Sequence, residues 1–171
     1  MADRRSVRTS ENGAPLDRVR KIGSAERNGA RQHDLGVLAH HLGYFLRRAQ
    51  LSVFQDFIRT LASIDIRPAQ YSVLVVIGAN RGLSQSEVAQ ALGIERARLV
   101  RLLDKLERRG LTQRLASPND RRSHVLQLTS SGQKILKRAT ALAARHEARL
   151  AERLGTAHHR LIVEALRDFE L

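Results

Sequence analysis

The sequence predicts a mainly α-helical protein carrying one small β-hairpin. Two patterns lead there. From Leu35 onward apolar residues return at spacings of three and four, and the period shortens to two only once, between residues 111 and 128. A third observation sets the class of partner: 30 Lys and Arg against 17 Asp and Glu give a formal charge of +13, which suits a polyanion.

Composition excludes several classes. A chain of 171 residues with 42% hydrophobic side chains is long enough for one domain with a core, plus a tail. With no cysteine it can hold neither a disulfide framework nor a thiolate zinc site, and it cannot sense peroxide through a thiol. The longest apolar run, Val73 to Ile77, falls far short of the roughly 18 to 20 residues that span a bilayer, and the N-terminus lacks a signal-peptide apolar region. The expectation is a cytoplasmic protein with no membrane partner.

Residues 1–34 hold five arginines by Arg20 and few large apolar side chains beyond Val7, Leu16, Val19 and Ile22. Such a stretch buries too little surface to offset the entropy of ordering and reads as a basic, mobile arm. It is either an inert tail or a contact to DNA phosphates or an acidic ligand. From Leu35, the residues Leu38, Leu42, Phe45, Ala49 and Val53 form one stripe of a helix reaching about Ser63. Pro68 opens a second helix that Asn80-Arg81-Gly82 ends. Helical patterns resume at 84–91 and 95–109, with Gly110 as the stop. Two short strands, 111–116 and 123–128, flank the turn Ser117-Pro118-Asn119-Asp120. Thr129 or Ser130 then caps a helix bearing Ile135, Ala139, Leu142, His146 and Leu150. Gly155 separates it from a last helix with Leu161, Ile162, Leu166 and Phe169.

Residues 85–104 fit a helix-turn-helix at several independent positions. Counting Gln85 as one, Ala89 is fifth, where two helices approach too closely for a larger side chain. Gly93 is ninth, in the turn, where a positive φ is needed. Val88, Leu92, Ile94, Leu99 and Leu102 fill the positions that pin one helix across the other. With Leu99, Leu102, Leu103 and Leu106 turned inward, the second helix presents Ala97, Arg101, Asp104 and Arg108, and Arg96 and Arg98 flank its first turn. A major groove admits an α-helix, and an arginine fork reads guanine N7 and O6. The hairpin that follows makes the motif winged, with Asp120-Arg121-Arg122 at its tip. Two arginines there suit a minor groove, and Asp120 would hold Arg122 by a charge-assisted hydrogen bond. The candidate DNA contacts are thus Gln85, Arg96, Ala97, Arg98, Arg101, Asp120, Arg121 and Arg122. Each arginine is open to base readout, phosphate contact or solvation.

From Ile66 to Leu136 the chain resembles the MarR family of bacterial winged-helix transcription regulators. The resemblance lies in Pro68-Ala69-Gln70-Tyr71, Gln85 to Gly93, Leu99 to Gly110 with its Leu-Glu-Arg-Arg-Gly-Leu ending, Asp120-Arg121-Arg122, and Leu128-Thr129 followed by Gly132. Length and position extend it over about 35–171, leaving the arm aside. It implies a homodimer of intertwined first, fifth and sixth helices, with recognition helices in successive major grooves of a pseudo-palindromic operator. The implied division is 1–34 arm, 35–64 dimerisation helix, 65–130 winged helix-turn-helix and 131–171 C-terminal dimerisation helices. Family habit favours repression. Two positions depart from the pattern: Ser117 replaces a frequent acid, and Arg67 stands where Thr or Ser commonly caps the second helix.

His41, Tyr44, Arg48, Ser52 and Gln55 form a polar stripe on the first long helix. A tyrosine and an arginine in such a seam suit an aromatic carboxylate; the alternative is a hydrated or dimer-facing surface. In the resembled family, effectors sit between the dimer helices and the winged lobe, which brings Tyr71 toward the same cavity. The run Tyr44 to Gln50 is similar to the branch that controls aromatic-acid breakdown, some of whose members respond to acyl-CoA thioesters. A thioester would give Arg47 or Arg48 phosphates to bind. The candidate ligand residues are His41, Tyr44, Arg47, Arg48, Ser52 and Tyr71.

No nucleophile elbow, phosphate loop or placed carboxylate pair points to an enzyme, and no cofactor is expected. Seven histidines raise the question of metal, but the adjacent pairs His40-His41 and His158-His159 point about 100° apart on a helix and cannot chelate alone, so none is expected. The rival to a ligand-responsive regulator is a basic nucleoid-like or RNA-binding protein with no effector.

Overall fold

The computed structural model describes residues 33–116 and 124–169. Contacts divide the chain into two units, Met1–His40 and His41–Leu171. In the first, a 3-10 turn covers Gly36–His40, opened by the Asp34 carboxylate accepting the Gly36 N–H at 2.9 Å. The second unit runs α1 (Leu42–Leu61), α2 (Pro68–Ala79), α3 (Gln85–Ala91), α4 (Arg96–Arg108), β1 (Thr112–Ala116), β2 (His124–Leu128), α5 (Ser130–Leu154) and α6 (Thr156–Arg167). This is the mainly helical fold with one hairpin that the periodicity predicts. None of the described helices is long and apolar enough to cross a membrane.

The first long helix begins later than expected. Gly36 takes φ +52° and His41 is extended, so the stretch from Leu35 does not run on into α1. Its apolar stripe is also unburied within the chain: Leu42 is 67% and Phe45 46% exposed. Only the C-terminal end of α1 enters the core, through Leu61, before a 3-10 turn over Ala62–Ile64 and a left-handed Asp65. At Arg67, where the expected Ser or Thr is missing, the side-chain oxygen of Gln70 accepts the Arg67 backbone N–H at 2.9 Å, so the start of α2 is half capped from within the helix.

The core is built where α2, α4, β2 and α5 meet. Val73, Leu74, Leu99, Leu103, Leu106 and Leu126 are sealed from solvent there. The hairpin pairs Thr112 with Leu128 and Ala116 with His124. It is also tied to the segment before α3, because Ser84 bridges Val125 and the Leu126 N–H donates to the Leu83 carbonyl at 2.9 Å. Side-chain alternation gives no sign of this third pairing, which a single residue makes.

Thr129 is the cap of α5. Its hydroxyl accepts the Gly132 N–H at 3.0 Å and donates to the Gly110 carbonyl at 2.6 Å, joining the end of α4 to the start of α5. The two backbones come so close that a Cβ on Gly132 would lie 1.9 Å from the Leu111 carbonyl oxygen. Gly132→Ala should therefore destabilise the protein by about 1–3 kcal/mol or more, as an overpacked site does, read from the urea unfolding midpoint.

A polar tie joins α1 to α5. His146 is only 2% exposed, lies 5.0 Å from the Phe57 ring and has Nδ1 2.9 Å from Asp56 Oδ2, as a satisfied packed histidine should. Arg149 donates to the same carboxylate oxygen at 2.9 Å and to the Thr60 hydroxyl at 3.0 Å. Arg149 first, then His146 and Arg59, hold the Asp56 carboxyl down at about 2 from 3.8, against a partial burial that pushes it up. The folded value lies below the unfolded one, so this contribution is complete above about pH 4 and is lost as pH falls through about 2. Asp56→Asn should lower stability at neutral pH and flatten that acid limb in chemical denaturation at stepped pH.

Candidate nucleic-acid interface and effector surface

α3 and α4 are set across each other by short-range chemistry. Ser84 and Glu87 cap α3 reciprocally: the Glu87 carboxylate accepts the Ser84 N–H at 2.7 Å and the Ser84 hydroxyl accepts the Glu87 N–H at 3.3 Å. Those bonds to Ser84 hold the Glu87 carboxyl below its ordinary value. Gly93 takes φ +60° in the turn, and the Ile94 N–H returns to the Ala89 carbonyl at 3.1 Å. Val88, Ala89 and Leu99 are buried as the motif requires; Leu92, Ile94 and Leu102 are half-buried against the same core.

The outer face of α4 is a line of cations. Arg96, Ala97, Arg98 and Arg101 are exposed, and so are Lys105 and Arg108. Positions 98, 101, 105 and 108 are three, four and three apart, which puts them in one row; with Leu102 and Asp104 they line an open depression along the helix. None of these cations pairs with a carboxylate within 4.0 Å among the described residues. Gln85 is half-buried in the first turn of α3. Asp120, Arg121 and Arg122 lie outside the described residues.

Sequence reasoning missed Lys105 of this face and Arg114 beside it. Lys105 was legible, since it falls seven residues after Arg98. Arg114 was not. From β1 it donates to Asp104 Oδ1 at 2.6 Å and to Glu107 Oε2 at 2.7 Å, so the Asp104 carboxylate, though half-exposed in the same depression, is engaged by the hairpin rather than by the arginines of its own helix. At the far end of α4, the Arg109 guanidinium donates to the Ile64 carbonyl at 3.4 Å and to the Asp65 carbonyl.

The polar stripe of α1 is an open surface within one chain. His41, Arg47, Arg48, Ser52 and Gln55 are exposed and Tyr44 is half-buried. Tyr44 and Arg48 are together: the guanidinium donates to the phenol oxygen at 3.3 Å and sits 5.7 Å from the ring centroid. Tyr71 is elsewhere in the same chain, edge-on to Phe57 at 5.6 Å. Phe57 is 13 residues beyond Tyr44, about 20 Å along the helix axis. Among the described residues no group of three or more His, Asp or Glu side chains could hold a metal ion, and His159 instead faces the Glu147 carboxylate at 3.1 Å.

Known proteins share both sequence and fold. Residues 64–123 match the profile of the MarR family. A Thauera aromatica protein named for transcriptional regulation of the hcr operon is 35% identical over 133 residues, which cover 77% of this chain and 80% of that protein. The solved structure of the transcriptional repressor CouR bound to a 23-mer DNA duplex is 47% identical with a TM-score of 0.77, covering 80% of this chain and 96% of that one. CouR bound to p-coumaroyl-CoA is 44% identical with a TM-score of 0.74, covering 81% of this chain and all of the other. With a relative of this identity spanning most of both sequences, and a buried helix-turn-helix carrying a row of cations, the chain belongs to the MarR family of transcriptional regulators.

Proposed function

We propose that this chain is a homodimeric repressor that binds a pseudo-palindromic DNA operator and leaves it when an aromatic acyl-CoA thioester binds. The observation that carries the reading is the row Arg98, Arg101, Lys105 and Arg108 on a helix whose other face is sealed in the core, in a fold that CouR shares both with DNA and with p-coumaroyl-CoA. Arg96, Arg98 and Arg101, in the first turns of α4, are the base-reading candidates; Lys105 and Arg108 extend the electrostatic footprint to phosphates. Gln85, Ala97 and the wing residues Asp120, Arg121 and Arg122 complete the proposed DNA contacts. The protein acts in the cytoplasm, where its DNA lies, and needs no catalytic activity of its own.

Dimerisation explains what one chain leaves uncovered. Leu42, Phe45 and Phe54 of α1 and Leu161, Ile162 and Leu166 of α6 are exposed apolar side chains near the two ends of the unit. A second copy covering them gives residues 35–64 and 131–171 their role as dimerisation helices around the 65–130 DNA-binding domain. The effector site is then assigned to His41, Tyr44, Arg47, Arg48, Ser52 and Tyr71, with both chains of the dimer contributing. The stacked Tyr44 and Arg48 suit an aromatic acyl group, and exposed Arg47 and Arg48 suit CoA phosphates. Release requires the thioester to prefer the DNA-free form, and by linkage DNA then weakens thioester binding by the same factor.

The test is fluorescence anisotropy at fixed near-physiological salt on the duplex upstream of the protein's own coding region and on a shuffled duplex, with p-coumaroyl-CoA and p-coumarate added separately. A preference of roughly 10³-fold that the thioester abolishes supports the reading; equal binding to both duplexes, unmoved by either compound, returns the chain to a nonspecific basic DNA-binding protein. Release by p-coumarate alone would replace the thioester with the free acid. Arg101→Ala should weaken operator binding by about 1–3 kcal/mol. Arg48→Ala should leave DNA affinity nearly unchanged while raising the thioester concentration needed for release; a variant released at the parental concentration would remove Arg48 from the site.

A further inference from the structure

Asp104 is spaced to pair with α4's own cations, three residues after Arg101 and four before Arg108. Its carboxylate pairs with neither; Arg108 donates instead to the Asp104 backbone carbonyl at 3.3 Å. Its carboxylate goes to Arg114 of β1 at 2.6 Å, and the second nitrogen of the same guanidinium takes Glu107 at 2.7 Å. Arg114 is 27% exposed, with both terminal nitrogens committed to carboxylates and a buried Nε that has no partner among the described residues. A guanidinium held this way is not presented to DNA. It keeps a buried donor unmet, a cost that its two charge-assisted bonds must exceed.

We propose that Arg114 is a positioning residue for DNA recognition. By holding both carboxylates against the hairpin, it keeps Asp104 from drawing Arg101 and Arg108 into pairs along the helix, so the cation row stays turned outward; Glu107, with no cation three or four residues away on α4, is the second anchor of the guanidinium. It also fixes the base of the wing to the recognition helix through two bonds of set direction. The inference rests on the DNA-binding reading above.

The test uses the full-length protein and a duplex that it has itself selected from a random-sequence pool. Arg114→Met should lower the preference for that duplex over a shuffled one by about tenfold or more, on the scale of a lost specific contact, while the thermal transition still shows a folded protein at the assay temperature. Adding Asp104→Asn and Glu107→Gln to Arg114→Met should restore most of the lost preference, because the carboxylate that competes for Arg101 and Arg108 is gone and Glu107 is not left charged without its partner. The ratio of the two duplexes is the readout because a change in net charge alone moves both affinities together. Should Arg114→Met fail to fold, Arg114→Lys replaces it; a single ammonium cannot span both carboxylates as the fork does, and an intermediate preference is expected. Full preference in Arg114→Met, or a triple variant no better than Arg114→Met, overturns the proposal. A parent protein that selects no sequence overturns the DNA-regulator reading and this inference with it.

Discussion

Everything in the helix-turn-helix half depends on α4 burying its apolar face while its other face gathers positive charge. Leu99, Leu103 and Leu106 are sealed in the core, and each is a few ångströms of helix from an exposed Arg or Lys. Like charges at three- and four-residue spacing repel, so the row costs helix stability that the buried leucines must offset. The compensation is placed at the edges of the row. Arg114 brings two carboxylates inward from one side, and Arg109, just past the end of the helix, turns its own charge away to the backbone at Ile64 and Asp65. The protein keeps its charge exposed by confining the acids rather than by omitting them.

The opposite half of the molecule solves a different problem. α1 crosses α5 through one buried imidazole and a carboxylate shared by Arg149, Arg59 and His146. Such a contact has direction: the Asp56 oxygens and the His146 ring meet at one register only, whereas leucines tolerate sliding. The exposed apolar side chains at the start of α1 and on α6 therefore project from a joint of fixed register. A second copy meeting those surfaces meets a defined shape.

How much of this could be read from the sequence depended on whether an element is set locally. Ala89, Gly93 and the buried leucines of the helix-turn-helix follow from spacing, and so do the hairpin, the Thr129 cap and the stop at Gly110, because each depends on residues within a turn or two. The start of α1 did not follow, since nothing in the apolar stripe reports that Gly36 turns left-handed and His41 is extended. The stripe's exposure was equally hidden: periodicity says which side chains share a face, and is silent on whether that face meets the same chain. Arg114 with Asp104, Arg149 with Asp56 and Tyr71 with Phe57 join residues that only the tertiary fold brings together. Tyr71 illustrates the limit for the effector surface. The sequence puts it in one list with Tyr44, and the fold puts about 20 Å of helix between them in a single chain.

The attachment of Arg109 makes α4 a lever with its fulcrum at one end. Directional hydrogen bonds hold the C-terminal end of the helix to the junction between α1 and α2, while the N-terminal end rests on Leu99 and a Glu95 that supplies no side-chain cap. The helix is 13 residues long, about 20 Å. A rotation of about 10° at the fulcrum would carry the first turn through about 3 Å, the reach of a hydrogen bond, with Lys105 and Arg108 barely displaced. A displacement that began at the foot of α1 would thus move Arg96, Ala97 and Arg98 far more than Lys105 and Arg108, so the two ends of the cation row would respond to it unequally.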